Sequence, residues 1–226
     1  MFIAGFPAGS FQTNCYVVAP AAGEECVVVD PGQNAEEGLD ELIREHRLKP
    51  VAVVLTHGHI DHMWSVGPVC GAREIPAWIH PDDRILLSDP GRGFGAMSKQ
   101  LFGGLEFSEP DDVRELTDGA VLELAGLELV VDHRPGHTGG SVTFRLDREQ
   151  VMFAGDLLFK DSIGRTDLPG GDHQAMLVSL AKTLTLPDET VVLPGHGPQT
   201  TIGRERTSNP FLKDLEHGAP GPTRGL

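Results

Sequence analysis

Short apolar runs punctuate the chain, each closed by Gly, Pro or Asp. They cover Tyr16 to Ala19, Cys26 to Val29, Val51 to Leu55, Val121 to Val131 (broken by Gly126), Ser141 to Leu146, Val151 to Ala154 and Thr190 to Leu193. Runs of this length, rich in valine and bounded by turn formers, predict strands. Between some of them the apolar positions change to helical spacing. Ala35 to Arg47 carries Leu39, Leu42 and Ile43, with Leu48 just beyond, and predicts a helix; His80 to Ser88 and Asp172 to Leu184 read the same way. Arg204 to Leu215 predicts a last helix in which Pro210 forces a break or a late start. Strands mixed with helices in this way predict a layered α/β fold. Two strands end alike, in VVVDPG at 27 to 32 and in MFAGD at 152 to 156, a match that hints at related halves but is too short to establish a repeat. Residues 88 to 110 are Gly-rich with three phenylalanines and read either as a mobile flap or as an ordinary connection. The pattern predicts one domain over residues 1–215 and a disordered tail at 216–226.

Composition narrows the partners. Of the 226 residues 39% are hydrophobic, enough for a sizeable core, and the formal net charge is −15. A surface this acidic repels phosphate backbones and anionic lipid, so neither a nucleic acid nor a membrane is an expected partner. Cys15, Cys26 and Cys70 form no C-x-x-C pair, which argues against a disulfide framework and a thiolate metal site. No run approaches the roughly 18 apolar residues of a membrane helix. The N-terminal MFIAGFPAGSF has no basic region leading into a long apolar core. The expectation is a cytoplasmic protein.

The chemistry is concentrated where an apolar strand stops. Directly after VAVVL comes Thr56-His57-Gly58-His59-Ile60-Asp61-His62. A strand leaving the core at Leu55 delivers these residues to a sheet rim, where α/β proteins place ligand sites. Imidazole and carboxylate are ligands that suit zinc. More such groups stand at other element ends: His137 in RPGHTGGS, Asp156 in AGD, and His196 in LPGHG. Five histidines and two aspartates suffice for two metals with a shared carboxylate, more than the three protein ligands one catalytic zinc needs. Thr56, Thr138 and Ser141 are candidates to orient ligands, and Asp30 to stabilise the ligand loop or to cap a turn. The remaining histidines, His46, His80, His133 and His217, read as packed or surface residues; His173, after the GGD turn, reads as a helix cap or a substrate contact.

In this order and spacing THGHIDH, PGHTGGS, GD and PGHG resemble the metallo-β-lactamase superfamily. SIGRTDLPGGD at 162 to 172, TTIGRER at 200 to 206 and Asn209-Pro210-Phe211 resemble its glyoxalase II branch, specifically short bacterial hydroxyacylglutathione hydrolases. The resemblance implies a four-layer αββα sandwich with the metals at one edge. It implies a first metal on His57, His59 and His137, a second on Asp61, His62 and His196, and Asp156 bridging both. The cofactors would be two divalent cations, zinc first, with iron and manganese accepted by the same ligands. A metal-bridging hydroxide would cleave a small thioester, a 2-hydroxyacyl thiol such as S-lactoylglutathione, with Asp61 orienting it. The long enzymes of that branch hold glutathione through a C-terminal helical domain, for which residues 1–226 show no expected counterpart. Its nearest substitutes for substrate binding are Lys160, Arg165, His173 and the 88 to 110 loop.

Rival readings remain. A persulfide dioxygenase of the same fold would use His57, His137 and Asp156 around one iron. A β-lactamase would work outside the cytoplasm, which the absent export signal disfavours. A processing nuclease would want an inserted domain and less acidic charge, and a metal-binding module without activity would leave open coordination positions unexplained.

Overall fold

A computed structural model describes residues 1–95, 106–212 and 215. Ten residues of the Gly-rich segment, 96–105, and the tail expected at 216–226 lie outside the described residues. Strands β1 (Phe2–Ala8), β2 (Thr13–Ala19), β3 (Glu25–Val29), β4 (Lys49–Val54), β5 (Ala77–Ile79) and β6 (Val113–Glu115) form one six-stranded sheet in chain order. A second six-stranded sheet runs β14-β13-β10-β9-β8-β7. Its strands are β7 (Val121–Leu124), β8 (Leu127–His133), β9 (Val142–Leu146), β10 (Val151–Gly155), β13 (Val191–Pro194) and β14 (Thr200–Thr201). Between β10 and β13 stands a separate two-stranded hairpin, β11 (Leu158–Phe159) with β12 (Ser162–Ile163).

Three apolar cores explain why the strands read as continuous rather than alternating runs. Successive residues of one strand enter different cores. Val17, Val28 and Val53 pack outward with Leu39 of α1 (Glu36–His46) and Met63 of α2 (Ile60–Met63), and with Val66 and Val69 of α3 (Val66–Arg73). Their neighbours Val18, Val27 and Val54 face the second sheet and meet Leu129, Val131, Phe144 and Phe153. On the far side of that sheet Met152, Ala154 and Val192 pack against Met176 and Leu180 of the helix His173–Thr183. A sheet buried on both faces carries apolar residues at every position. Three cores between four layers make the αββα sandwich.

The parallel pairs β3–β4 and β10–β13 each need a helical crossover, and α1 and His173–Thr183 supply them. Two expected helices are shorter than their patterns. His80 to Ser88 resolves into α4 (Pro81–Arg84) and a 3-10 turn, Ile85–Leu87, with α5 (Gly91–Phe94) following. The helix His173–Thr183 is α6, and the last helix, α7, covers Ile202–Ser208. It starts earlier than Arg204 because Thr201 caps it, accepting from the Arg204 amide at 3.2 Å, and it stops at Asn209, which precedes Pro210 and takes an extended conformation. No described helix is long and apolar enough to cross a membrane.

Candidate metal centre

Every predicted donor segment leaves the sandwich at the same rim. His57, His59, Asp61 and His62 follow β4, with the last two on α2; His137 lies in the β8–β9 connection; Asp156 follows β10; His196 follows β13. Backbone hydrogen bonds stitch these exits together. The Val142 amide donates to Thr56 O at 2.8 Å, Gly195 N to Gly155 O at 2.8 Å, and Asn14 N to Gly195 O at 2.7 Å. The stitching depends on missing side chains. A Cβ on Gly195 would lie 2.3 Å from Asp156 Oδ1, and Gly155, at φ +49°, presses against Thr56 so closely that a Cβ would sit 2.5 Å from its hydroxyl.

The seven side chains meet. Donor atoms of His57, His59 and His137 form one group with all separations within 4.8 Å; those of Asp61, His62 and His196 form a second, and His57, His62 and Asp156 a third. Asp156 stands between the groups: its carboxylate oxygens lie 3.4 Å from His62 Nε2, 3.5 Å from His137 Nε2 and 3.7 Å from His196 Nε2. Asp61 Oδ2 lies 3.1 Å from His196 Nε2 and 3.5 Å from His62 Nε2.

The outward faces of the imidazoles are held by hydrogen bonds. His62 Nδ1 is 3.0 Å from Asp30 Oδ2, His57 Nδ1 is 3.1 Å from Thr56 Oγ1, and His137 Nδ1 donates to the Arg165 carbonyl at 2.8 Å. Four buried donor atoms have no such partner: His57 Nε2, His59 Nε2, His62 Nε2 and Asp156 Oδ1. His59 turns its Nε2 toward Gly93 and its Nδ1 toward the other donors, 2.8 Å from His137 Nε2. The other three orphans belong to the His57, His62 and Asp156 group, and because buried polar atoms are nearly always satisfied, three together signal a missing partner. Imidazole and carboxylate lone pairs are what a divalent cation accepts, and the residues fit such a group.

The charges agree. Burial, helped by His62 and His137, pushes His57 well below the usual imidazole range, and burial beside His137 takes His59 down to about 3. Burial also opposes a charge on His62, but the Asp61 and Asp156 carboxylates outweigh it and raise this imidazole well above 6.5. Asp61 and Asp156 are in turn held low, burial resisting and the His62 charge prevailing. Without a cation, a proton on His62 does part of its work.

Several supports escape sequence reading. Thr13 Oγ1 donates to Asp61 Oδ2 at 3.0 Å from a strand 48 residues away. Buried Asp83, on α4, accepts from Gly58 N at 2.8 Å and Thr138 Oγ1 at 2.6 Å on one oxygen and from Gly140 N at 2.8 Å on the other, tying the first donor loop to the second. Tyr16 Oη and Asn14 Nδ2 both donate to Pro194 O, at 2.8 and 3.0 Å, fixing the approach to His196. Of the residues predicted to orient ligands, Asp30 accepts from Thr56 N and Oγ1 at 2.8 and 2.6 Å, and Ser141 Oγ accepts from Thr138 N at 3.0 Å.

The centre opens into a cavity of about 480 Å³ lined by His59, Asp61, His137, Asp156 and His196 on its floor. Its walls are Phe11, Phe94, Phe159, Ile163 and Leu168, with Ser162 and Arg165. Of the three predicted substrate contacts only Arg165 reaches the wall, and its guanidinium is engaged by Asp167 at 2.7 and 2.8 Å. Lys160, at the hairpin tip, and His173, in the first turn of α6, are exposed and line no part of it. His80 and His133 stack in parallel at 4.1 Å away from the centre, where the His133 Nε2 faces Gly139 O at 2.8 Å. The cysteines are buried, and burial pushes the thiols of Cys26 and Cys70 up to about 12, so none offers a nucleophile.

Comparison with known proteins places these features in context. The family model of the metallo-beta-lactamase superfamily matches residues 8–196. An uncharacterized protein of Mycobacterium leprae is 52% identical over 95% of this chain and 100% of its own length. The hydroxyacylglutathione hydrolase GloC of Haemophilus influenzae is 35% identical over 91% of this chain and 95% of its own. Among solved structures, the BLEG-1 B3 metallo-beta-lactamase superimposes with a TM-score of 0.84 at 41% identity, covering 94% of this chain and 100% of that one. TTHA1623 in a di-iron-bound form does so with a TM-score of 0.79 at 40% identity, again covering 94% and 100%.

Proposed function

Because this chain belongs to the metallo-beta-lactamase superfamily, we propose that it is a dinuclear thioester hydrolase acting on a small 2-hydroxyacyl thiol such as S-lactoylglutathione. The observation that carries the reading is the convergence of five histidines and two aspartates, with His57 Nε2, His62 Nε2 and Asp156 Oδ1 left without partners, at the base of a largely apolar-walled cavity. His57, His59 and His137 would hold one divalent cation and Asp61, His62 and His196 a second, with Asp156 shared. Zinc is the first expectation for the metals; the di-iron form of TTHA1623 supports iron as an occupant of a related site. Such a pair supplies, when bound, a water acidic enough to ionise near neutral pH and a Lewis acid for the carbonyl oxygen.

The chain's own groups do the rest. Asp61, steadied by Thr13, orients the attacking water. The walls exclude bulk water and seat the apolar stretch of the substrate. Water adds to the acyl carbon, the C–S bond breaks, and the thiol takes up the proton, giving a carboxylic acid and a free thiol. GloC supports the thioester as the bond cleaved. The B3 enzyme supports hydrolysis but a different bond, and the wall contains no basic side chain besides Arg165 among the described residues.

The test is elemental analysis of protein purified without added metal, followed by thiol release from S-lactoylglutathione with oxygen monitored. Two metals per chain and thiol release without oxygen uptake are expected. One iron with oxygen uptake would instead establish the dioxygenase reading on His57, His137 and Asp156.

A further inference from the structure

The sequence singles out TTIGRER and Asn209-Pro210-Phe211, yet neither stretch enters the metal centre. Both converge behind the β11–β12 hairpin. Glu205 and Asn209 are fully buried polar residues. One oxygen of Glu205 accepts from Thr200 Oγ1 at 2.5 Å, and the other accepts from the Asp161 amide at 2.8 Å and from Asn209 Nδ2 at 2.9 Å. Asn209 Nδ2 also donates to Ser162 O at 3.0 Å and Phe159 O at 3.4 Å, while its own oxygen accepts from Phe211 N at 3.0 Å. Arg204 adds an ion pair to Asp161 at 2.8 Å. The hairpin contributes only two residue pairs of its own, too little to hold a shape unaided. Its other face presents Phe159, Ser162 and Ile163 to the cavity, with the Phe159 ring 6.2 Å from that of His196.

We propose that Glu205 and Asn209 are positioning residues for substrate: a buried clamp that sets the hairpin as the apolar wall against which the acyl or thiol portion of the substrate packs. The inference rests on the cavity being the substrate cleft, not on which thioester occupies it. An unclamped hairpin would still carry Phe159 and Ile163 but would present them in many arrangements, and affinity falls when a wall must be ordered on binding. The bonds with Asp161, Phe159 and Ser162 are to the hairpin, and the others stay within α7 and its flanks, Thr200 of β14 included.

The test uses the full-length, metal-loaded protein and the variants Glu205→Gln, Asn209→Ala and Phe159→Ala. Three quantities are read: metal content, amide hydrogen exchange over residues 158–163, and affinity for benzyl mercaptan by calorimetry. The first two variants should keep both metals and exchange the Asp161 amide about tenfold faster, the loss of one buried hydrogen bond. They should bind the thiol about tenfold more weakly and raise the KM for S-lactoylglutathione more than they lower kcat. Phe159→Ala, which leaves the clamp intact, should weaken thiol binding without faster exchange at Asp161. Unchanged exchange, or faster exchange with unchanged thiol affinity, overturns the proposal. So does loss of metal with loss of affinity, because the clamp would then act through Asp156 at the base of the hairpin. A wild-type protein that binds benzyl mercaptan but leaves S-lactoylglutathione intact refutes the thioester reading alone, and the wall is still judged on affinity and exchange. If Glu205→Gln fails to fold, Asn209→Ala and Phe159→Ala decide it.

Discussion

At the scale of single residues, the centre depends on groups that would hold no cation themselves. Asp30 sits at φ +49° with its carboxylate accepting from Thr56 N, Thr56 Oγ1 and, 3.0 Å away, His62 Nδ1. Asp tolerates this left-handed backbone better than most side chains, and these bonds hold it there. Asp30→Ala leaves these donors buried and unpaired. The expected result is a loss of about 3 kcal/mol in denaturant unfolding and a metal affinity weaker by about 10–100-fold. Retention of wild-type metal content against a mild chelator would show that Asp30 only caps the turn. His62 yields a second prediction. In the metal-free protein its imidazole is held protonated by Asp61 and Asp156. A raised histidine contributes stability in full below about 6.5 and loses it as pH climbs through the higher folded value. The two depressed carboxylates contribute above the usual 3.8 and lose it as pH falls. His57 and His59, which burial depresses, cost stability as pH falls below about 6.5, so the metal-free protein is most stable near that pH and loses stability on either side. A cation must displace the His62 proton, so affinity rises with pH and binding releases protons. Calorimetry in buffers of differing ionisation enthalpy measures the release; none at pH 7 would contradict a protonated His62.

At the scale of elements, the sequence exposes what is local. The apolar run before Thr56 and the density of donors after it are contiguous, so the β4 exit and its four donors are readable from one window. The long buried strands announce themselves as unbroken apolar runs, and α1 by its helical period. What escapes is short or non-local. β1 is a half-exposed edge strand interrupted by Gly5 and Pro7, and β11 and β12 are two residues each, below any periodicity. Asp83 lies in a stretch whose only local signal is a helix start, while its partners stand 25, 55 and 57 residues away. Lys160, named as a substrate contact, lies at a hairpin tip, and His173, read as a helix cap or a substrate contact, lies at a helix N-terminus; both are exposed and off the cavity wall. Asp83 carries the prediction here. Because α4 uses it to tie the His57–His62 loop to the His137 loop, Asp83→Ala should free both together. Exchange of the Gly58 and Gly140 amides should accelerate in parallel, unfolding should cost about 2–4 kcal/mol less, and metal loss should accompany it. Acceleration at only one of the two loops would show that they are held independently.

At the scale of the whole molecule, the centre adds a link between two sheets that meet through apolar packing and a few hydrogen bonds at the rim. Four donors leave the first sheet at β4, and three leave the second at the β8–β9 connection, β10 and β13. A cation held by His57, His59 and His137 takes ligands from both sheets, and so does one held by Asp61, His62 and His196. Bound metal therefore acts as a cross-link between halves that unfolding must separate, and its binding energy adds to folding stability. Present at about a thousand times its dissociation constant, one such ligand adds about 4 kcal/mol, which for a chain of this size raises Tm by about 8–16 °C. Chelation should lower Tm by that amount in the wild type. Asp156→Ala, which removes the carboxylate facing both groups, should start from the low Tm and respond little to chelator. The acidic surface sharpens the expectation, since a net charge of −15 disfavours the compact state by self-repulsion and two dications at the rim offset part of it. If the wild type and Asp156→Ala lose equal Tm on chelation, the stabilising cation is bound elsewhere on that surface and the rim does not hold the sheets together.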